Sequence, residues 1–210
     1  MTDPTLAGIR RGYLLAGRAT RFPRKFEAEL RGGRVIDLAT AAVRAAGLEA
    51  TIVTTGPLAS PPAPLIEDRW SEGPLGALHS VPDVGQRGFF LGGGDMPLLD
   101  PSSIRRLTNL HRPGTSIVPR HVDGTLEVLH AIYDLSGPDL DRAWAHGRSL
   151  RGLVADLDRR GAVQFPAAEE FPSRTFWDVD VPEDLARVRA ELARGPPAKE
   201  TTDRSGPGPG

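Results

Sequence analysis

An apolar run that ends at a glycine and continues into basic residues is the feature of this sequence best suited to chemistry. The run extends from Tyr13 to Ala16, and the glycine is Gly17. Positive charge follows at four positions: Arg18, Arg21, Arg24 and Lys25. Glycine lets backbone N–H groups turn toward a ligand, and basic side chains beside it neutralise negative charge. The pattern favours a strand leading into a phosphate-binding loop for a nucleotide, although an ordinary strand-to-loop junction has the same composition.

Acidic residues stand directly after two further apolar runs. Asp68 follows the run at Leu65-Ile66 by one residue, and Asp95 follows Phe89 to Leu91 and three glycines. Ligands of open parallel sheets bind at the carboxyl ends of the strands, so acidic residues arriving there from separate strands indicate a functional site. A turn or helix-cap role remains an alternative for Asp68, and a local turn remains an alternative for Asp95.

Strands and helices that would position these residues alternate along the chain, which predicts a layered α/β fold. A right-handed crossover between the first two strands would make them parallel. The predicted elements are a helix over 35–46, a strand over 50–54, a helix opened by Asp100, a strand over 126–133, helices over 139–146 and 149–160, and a last helix from Pro182 to about Ala193.

The length of 210 residues fits one domain with a continuous core. We expect a short lead over 1–10, the domain over 11–194, and a disordered tail over 195–210. The tail contains no aromatic or branched aliphatic residue and therefore has nothing to bury.

Composition excludes several classes of function. The net charge of −1 argues against a protein whose main partner is a nucleic acid. Without cysteine there is no disulfide or thiolate metal site, and the five histidines lack zinc-ligand spacing, so any metal is expected to be a hard cation such as Mg²⁺. Neither a signal peptide nor a membrane-spanning apolar stretch is evident, and we expect a cytoplasmic protein without membrane contact.

The basic loop resembles the Leu-Ala-Gly-Gly loop, ending in a lysine, of the MobA-like nucleotidyltransferases, the molybdenum cofactor guanylyltransferase family. The similarity covers roughly residues 11–193 and depends on the order and spacing of several motifs. The further matching segments are 66–68 with 73–76, Gly94 to Leu99, 118–120 through 129–133, and Phe176 to Leu185.

This resemblance implies a Rossmann-like, three-layer domain with a mostly parallel central sheet. It also implies a Mg²⁺-dependent enzyme that transfers GMP from GTP to molybdopterin and releases pyrophosphate. CTP or another phosphorylated acceptor is the alternative, as is nucleotide binding without catalysis. Transient contact with cofactor-biosynthesis or molybdoenzyme partners is a further implication.

The resemblance also assigns roles to individual residues. Lys25 and Asp95 would be catalytic, with Asp95 as a magnesium ligand, and Asp180 would share the cation unless it is simply an exposed strand end. The nucleotide would be bound by Leu15, Ala16, Gly17, Arg21, Lys25, Asp68 and Asp95. Contacts to the acceptor would come from Arg120, His121, Arg148 and Arg151. His130 is expected to be a packed, hydrogen-bonded core residue rather than a general base.

Some positions depart from the family pattern. Arg18 replaces the second glycine of the loop, and the segment from Gly17 to Lys25 is two residues shorter than usual. Asp178 and Asp180 stand where the family usually has two asparagines. Val181 replaces a threonine that would cap the last helix, and Asp180 or Asp184 could compensate through the helix dipole.

Overall fold

A seven-stranded sheet organises the protein, for which a computed structural model describes residues 8–18, 21–82, 84–85 and 88–194. The predicted tail over 195–210 and most of the predicted lead lie outside the described residues. The strands of the sheet are β1 (Arg11–Ala16), β4 (Glu49–Thr54), β5 (Leu65–Glu67), β6 (Phe89–Gly93), β7 (Ser116–Ile117), β8 (His130–Tyr133) and β9 (Val163–Gln164). A separate two-stranded hairpin pairs β2 (Glu29–Leu30) with β3 (Gly33–Arg34).

The strands lie in the order β5-β4-β1-β6-β8-β7-β9. β1 pairs in parallel with both β4 and β6, and β4 pairs in parallel with β5. Only β8 runs antiparallel to its neighbours β6 and β7 in this sheet, and β7 is again parallel to β9. The prediction of a mostly parallel central sheet is therefore confirmed.

In the described part of the chain, six α-helices connect and cover the strands. They are α1 (Val35–Ala45), α2 (Gly73–His79), α3 (Pro101–Leu110), α4 (Gly137–Ala145), α5 (Leu150–Arg159) and α6 (Pro182–Arg194). Short 3-10 helices occupy Lys25–Glu27, Ala168–Glu170 and Ser173–Phe176. Asp100 caps α3 as predicted, because its Oδ2 accepts a hydrogen bond of 2.8 Å from the Ser103 N–H. Among the described helices, none has the length and apolarity that a bilayer crossing requires.

Alternating residues of β1 supply the core on both sides of the sheet. Tyr13 and Leu15 pack on one face with residues of α2, α4 and α5. Leu14 and Ala16 pack on the other face with residues of α1 and α3. Helices thus cover both faces of the central strand, which gives the predicted three-layer α/β arrangement.

The predicted strand over 126–133 is wrong in its first half. β8 begins at His130, and Leu126 forms only an isolated bridge with Arg120. The His130 N–H donates to the carbonyl oxygen of Glu127 at 3.1 Å, so the intervening residues form a turn. The apolar run 126–133 is therefore divided between a turn and a short buried strand, which hydrophobicity alone does not separate.

Candidate active site

A cleft of about 320 Å³ opens where the carboxyl ends of β1, β4 and β6 meet. Five residues of the predicted site line it: Leu15, Gly17, Lys25, Asp68 and Asp95. Ala16 borders an adjoining cavity of about 400 Å³ that shares Gly17 with the cleft. The strand order reverses at β1, and this switch point is where open α/β sheets bind ligands.

The Lys25 ammonium joins two carboxylates from distant parts of the chain. Its Nζ donates to Asp95 Oδ2 at 2.5 Å and to Asp180 Oδ1 at 2.7 Å. Only 9% of the Lys25 side chain is exposed, whereas Asp180 retains 46% exposure. Arg21 lies at the rim, with its Nη1 3.9 Å from Asp180 Oδ2 and its side chain largely exposed. Lys25 of the basic loop and the carboxylates of Asp95 and Asp180 therefore meet at one point.

A tight turn delivers Lys25 to this position. Arg24 adopts a left-handed backbone conformation with φ of 63°, and the Lys25 N–H donates to the Phe22 carbonyl oxygen at 3.1 Å. The next residue, Phe26, is buried and lies in the adjoining core. The backbone of Lys25 is thus fixed between a turn and a buried ring, although residues 19–20 of the loop lie outside the described ranges.

Asp95 is positioned by the close approach of Gly94 to β1. The Gly94 N–H donates to the Leu15 carbonyl oxygen at 2.9 Å. A Cβ at Gly94 would lie 3.1 Å from that oxygen and 2.9 Å from Cδ1 of Ile36, so a side chain does not fit without displacement. On its other side, the Asp95 carbonyl oxygen accepts a hydrogen bond of 2.9 Å from the Val179 N–H.

Asp180 is held by the start of α6. Asp184 Oδ2 accepts hydrogen bonds of 3.0 Å from both the Asp180 and Val181 N–H groups. Asp184 thereby fixes the two residues before α6, as the third residue of a capping box does, and this contact differs from the cap that a threonine at position 181 would make. Compensation through the helix dipole stays a prediction. The Asp180 carboxylate is instead directed to Lys25.

Electrostatics of the site favour an additional cation. Burial raises the pKa of Asp95, and Lys25 opposes this shift. Desolvation and the charges of Asp95 and Asp180 raise the pKa of Asp178. Burial acts to lower the pKa of Lys25, but the carboxylates outweigh it and the net shift is upward. One buried ammonium therefore faces three acidic groups, and a further positive charge would relieve their mutual repulsion.

The carboxylates of Asp95 and Asp180 fit a hard divalent cation whose remaining ligands are water or substrate oxygens. Within the described ranges, no group of three or more His, Cys, Asp or Glu residues is arranged to hold a metal. Asp95 and Asp180 nevertheless converge on one cation, the Lys25 ammonium. Mg²⁺ is commonly bound through one or two carboxylates together with water and substrate phosphates, so two carboxylates suffice for it.

Asp68 has the turn role that its sequence left open, and it also lies at the cleft. It lines the cleft, and its Oδ1 accepts hydrogen bonds of 3.0 Å from the N–H groups of Trp70 and Ser71. The carboxylate therefore shapes the turn before α2. Contact between Asp68 and a nucleotide remains a prediction.

The residues predicted to meet the acceptor are not gathered at the cleft. None of the four is among its described lining residues. The Arg120 guanidinium stacks on the Phe165 ring at 4.4 Å, and Arg148 pairs with Glu72 at 2.8 Å. The ring nitrogens of His121 lie 2.8 Å from Glu127 and 3.3 Å from Glu169, so this side chain is already engaged.

His130 is buried as predicted, but the expectation that it is hydrogen-bonded is wrong. Neither ring nitrogen has a hydrogen-bond partner among the described residues. Complete burial lowers the pKa of His130 to about 3, so the ring is neutral at ordinary pH. This environment is apolar, and it agrees with the prediction that His130 is not a general base.

Several lining residues escaped the sequence analysis. Thr55 follows β4, and Ser71, Gly73 and Pro74 lie at the start of α2. The parallel pairing of β1 and β4 is a signal that could have indicated Thr55, because both strands end at the same edge. Gly73 and Pro74 lie in the matching segment 73–76, but the resemblance assigned them no role at the site. Ser71 lies outside the matching segments, and its place depends on how the turn before α2 packs.

Comparison with known proteins assigns a family and a fold. The family model described as MobA-like NTP transferase domain matches residues 12–161. No match is found among curated protein sequences. A nucleotidyl transferase from Methanothermobacter thermautotrophicus superimposes with a TM-score of 0.68 at 20% identity, covering 90% of this chain and 99% of its own.

Two further solved structures share the fold. Molybdopterin-guanine dinucleotide biosynthesis protein A from Archaeoglobus fulgidus has a TM-score of 0.68 at 20% identity, covering 88% of this chain and 99% of its own. Rv0371c from Mycobacterium tuberculosis, solved in complex with manganese, has a TM-score of 0.57 at 23% identity, covering 87% of this chain and 98% of its own.

Proposed function

This chain belongs to the family of MobA-like NTP transferase domains, and we propose that it transfers GMP from GTP to the phosphate of molybdopterin. The observation that carries the proposal is the convergence of Lys25 Nζ on Asp95 and Asp180 beside the cleft. A cationic group and a pair of carboxylates at one edge are what a triphosphate and its counter-cation require.

The proposed reaction is a single displacement at phosphorus. An oxygen of the acceptor phosphate attacks the α-phosphorus of the nucleotide, and the bond from that phosphorus to the oxygen bridging to the β-phosphate breaks. Pyrophosphate leaves with this bridging oxygen and its electron pair. The attacking phosphate is already ionised, so no residue must remove a proton, and the buried neutral state of His130 is consistent with this.

In the proposed reaction, residues of this chain bind and orient the nucleoside triphosphate. Leu15 and Gly17 would lie beneath the triphosphate, with their backbone at the carboxyl end of β1. Lys25 would neutralise phosphate charge, and the exposed Arg21 would add a second contact at the rim. Asp68, which also lines the cleft, would contact the nucleotide.

Asp95 and Asp180 are the residues that would hold Mg²⁺. When bound, the cation supplies neutralisation of charge on the phosphate oxygens during transfer. Asp95 is fixed by its neighbours Gly94 and Val179, and Asp180 by Asp184, so both carboxylates are preorganised.

Pyrophosphate release measured with each of the four ribonucleoside triphosphates, with and without molybdopterin in the presence of Mg²⁺, tests this proposal. We expect turnover with GTP and dependence on molybdopterin. Release with CTP instead would identify a different donor, and nucleotide binding without release from any donor would overturn transfer.

Replacement of Asp95 provides the first prediction. Asp95→Asn keeps the shape of the side chain but removes its charge, and turnover should fall at least ~100-fold because charge stabilisation at the transferred phosphate is lost. Asp123→Asn is the matched control, since Asp123 lies on an exposed turn away from the cleft and should leave turnover unchanged. Equal turnover of Asp95→Asn and wild type would contradict the assignment.

A further inference from the structure

Lys25 lies between the two carboxylates to which the proposed function assigns a divalent cation. We propose that the Lys25 ammonium is an exchangeable internal counter-ion, which the arriving divalent cation displaces from Asp95 and Asp180 and thereby frees for the phosphates. The inference rests on the proposed function, because that function supplies both the cation and the phosphates.

The contacts of Lys25 show that its ammonium and a second cation compete for the same oxygens. Nζ is 2.5 Å from Asp95 Oδ2 and 2.7 Å from Asp180 Oδ1, so two of its three donors are used by these carboxylates. A divalent cation that bound both oxygens would have to occupy the space of the ammonium. The two positive charges would also repel each other at that distance. Simultaneous occupation is therefore excluded by both space and charge.

Charge also explains why the lysine would not leave without a replacement. Asp95 and Asp180 stand close together, and Asp178 adds a third acidic group that feels the charge of both. Removal of the ammonium alone would leave these groups facing one another, with the largely exposed Arg21, 3.9 Å from Asp180, as a weaker counter-charge. A divalent cation brings twice the positive charge of the ammonium, so exchange reduces the repulsion that loss of lysine would create.

The position of Lys25 allows its side chain to move while its backbone stays fixed. The backbone is fixed by the bond from Lys25 N–H to the Phe22 carbonyl and by the burial of Phe26. The lysine side chain has a flexible four-carbon stem and a compact ammonium. Lys25 itself lines the cleft with Leu15 and Gly17, so the released ammonium needs no opening of the structure to reach a phosphate there.

Exchange makes the binding of cation and nucleotide cooperative. Without a divalent cation, the Lys25 ammonium remains bonded to Asp95 and Asp180, and these carboxylates repel the triphosphate. With the cation bound, the charge of the two carboxylates is neutralised and the Lys25 ammonium is free to bind a phosphate in the cleft. Each ligand should therefore strengthen the binding of the other by the same factor.

Mn²⁺ binding to the nucleotide-free protein, followed by the electron paramagnetic resonance signal of free Mn²⁺, tests the exchange. Lys25→Met removes the competing charge at similar length and should bind Mn²⁺ at least tenfold more tightly than wild type. Lys25→Arg keeps a cation between the carboxylates and should remain within threefold of wild type. Arg21→Met removes an equal charge 3.9 Å from Asp180 but at an exposed position, and should also change affinity less than threefold.

A second measurement on the wild-type protein does not depend on the folding of a variant. With lysine labelled with ¹³C at Cε, the Lys25 resonance should shift during titration with Mg²⁺, with the same midpoint as cation binding measured by calorimetry. A Lys25 resonance that stays in place while the cation binds would overturn the exchange.

The outcomes separate the exchange from the proposed function. Unchanged or weaker Mn²⁺ binding by folded Lys25→Met, in a protein that releases pyrophosphate, overturns the exchange and keeps the transferase. Tighter binding by Lys25→Met, in a protein that releases no pyrophosphate from any triphosphate, keeps the exchange and overturns the transferase. Absence of Mn²⁺ binding by wild type and Lys25→Met, with and without nucleotide, overturns both.

Discussion

Three phenylalanine rings surround the imidazole of His130. The ring centroids of Phe90, Phe171 and Phe176 lie 5.5, 6.3 and 5.2 Å from that of the imidazole, all in edge-to-face arrangements. Both imidazole nitrogens are buried without a partner among the described residues. A buried polar group without a hydrogen bond loses its hydration and gains nothing in return, so this position reduces the stability of the fold.

Replacement of His130 by an apolar side chain of similar volume should therefore stabilise the protein. We expect His130→Met to raise the free energy of unfolding by about 1 kcal/mol at pH 7, because methionine removes two unpaired polar atoms and its sulfur packs well against aromatic rings. Denaturant unfolding measures the change. A decrease in stability would show that the nitrogens are satisfied, for example by bound water.

The same residue predicts a pH dependence of stability. The pKa of His130 is about 3 in the folded protein, below its ordinary value of 6.5. As the pH falls below 6.5, the unfolded chain binds a proton that the folded chain does not, so stability is lost between pH 6.5 and 3. From pH 7 to 5, titration of His130 should lower the free energy of unfolding of the wild type by about 2 kcal/mol. His130→Met should lack this contribution. If the free energy of unfolding has the same dependence on pH in both proteins over this interval, the lowered pKa of His130 is wrong.

At the scale of elements, the junction of β1 and β6 depends on Gly94. An added Cβ would press on the Leu15 carbonyl oxygen and on Ile36, so β6 would be forced away from β1 at the point that positions Asp95. We expect Gly94→Ala to lower the free energy of unfolding by about 1–3 kcal/mol. Displacement of Asp95 should also lower kcat/KM at least ~10-fold.

Gly137→Ala is the control for Gly94→Ala. A Cβ at Gly137, in the first turn of α4, meets no atom within 4 Å. Its effect on unfolding should stay within about 0.5 kcal/mol, and its turnover should equal that of wild type. Similar losses in the two variants would show that close packing at Gly94 is not what matters.

Asp184 stabilises the start of α6 through two backbone hydrogen bonds. Asp184→Ala removes the acceptor of the Asp180 and Val181 N–H groups and should lower the free energy of unfolding by about 1 kcal/mol. Because Asp180 would be less well fixed, Mn²⁺ affinity should fall as well. Asp184→Asn keeps an acceptor oxygen and should lose less of both. Thermal unfolding and Mn²⁺ titration measure the two effects, and an unchanged Mn²⁺ affinity in Asp184→Ala would contradict the positioning role.

Elements with strong local signals could be predicted from the sequence, and shorter ones could not. The helical period of α1, the Asp100 cap of α3 and the apolar run of β1 each lie within one segment, so local patterns sufficed. β7 and β9 are two residues long and are formed only by pairing with neighbouring strands, which no alternation over two residues can indicate.

The candidate site likewise combines features that the sequence predicts with features that depend on the folded structure. The resemblance assigned Lys25 and Asp95 to one catalytic site although 70 positions separate them, and the structure brings their side chains into direct contact. That Lys25 also occupies the space between Asp95 and Asp180 follows from side-chain geometry, which sequence does not contain. The unpaired nitrogens of His130 were missed for a similar reason, because the sequence shows apolar neighbours but not the absence of a partner.

At the scale of the whole molecule, the described residues form an apolar core on each face of one sheet and a third apolar cluster that includes residues of β2, α1 and α6. The composition of 195–210 offers no apolar side chain larger than proline to any of them. A chain ending at Arg194 should therefore have a free energy of unfolding within about 0.5 kcal/mol of the full chain. It should also release pyrophosphate at the same rate. A larger loss in either measurement would assign these residues a role in folding or catalysis.

The bond between Lys25 and Asp180 spans 155 positions of the chain. During synthesis, the ribosome has made the turn, the central strand and Asp95 long before it adds the second carboxylate. All seven strands of the sheet therefore precede, in the chain, the residue that completes the ion pair. Premature termination before codon 180 should yield products that retain Lys25 and Asp95 but lack both Asp180 and the whole of α6.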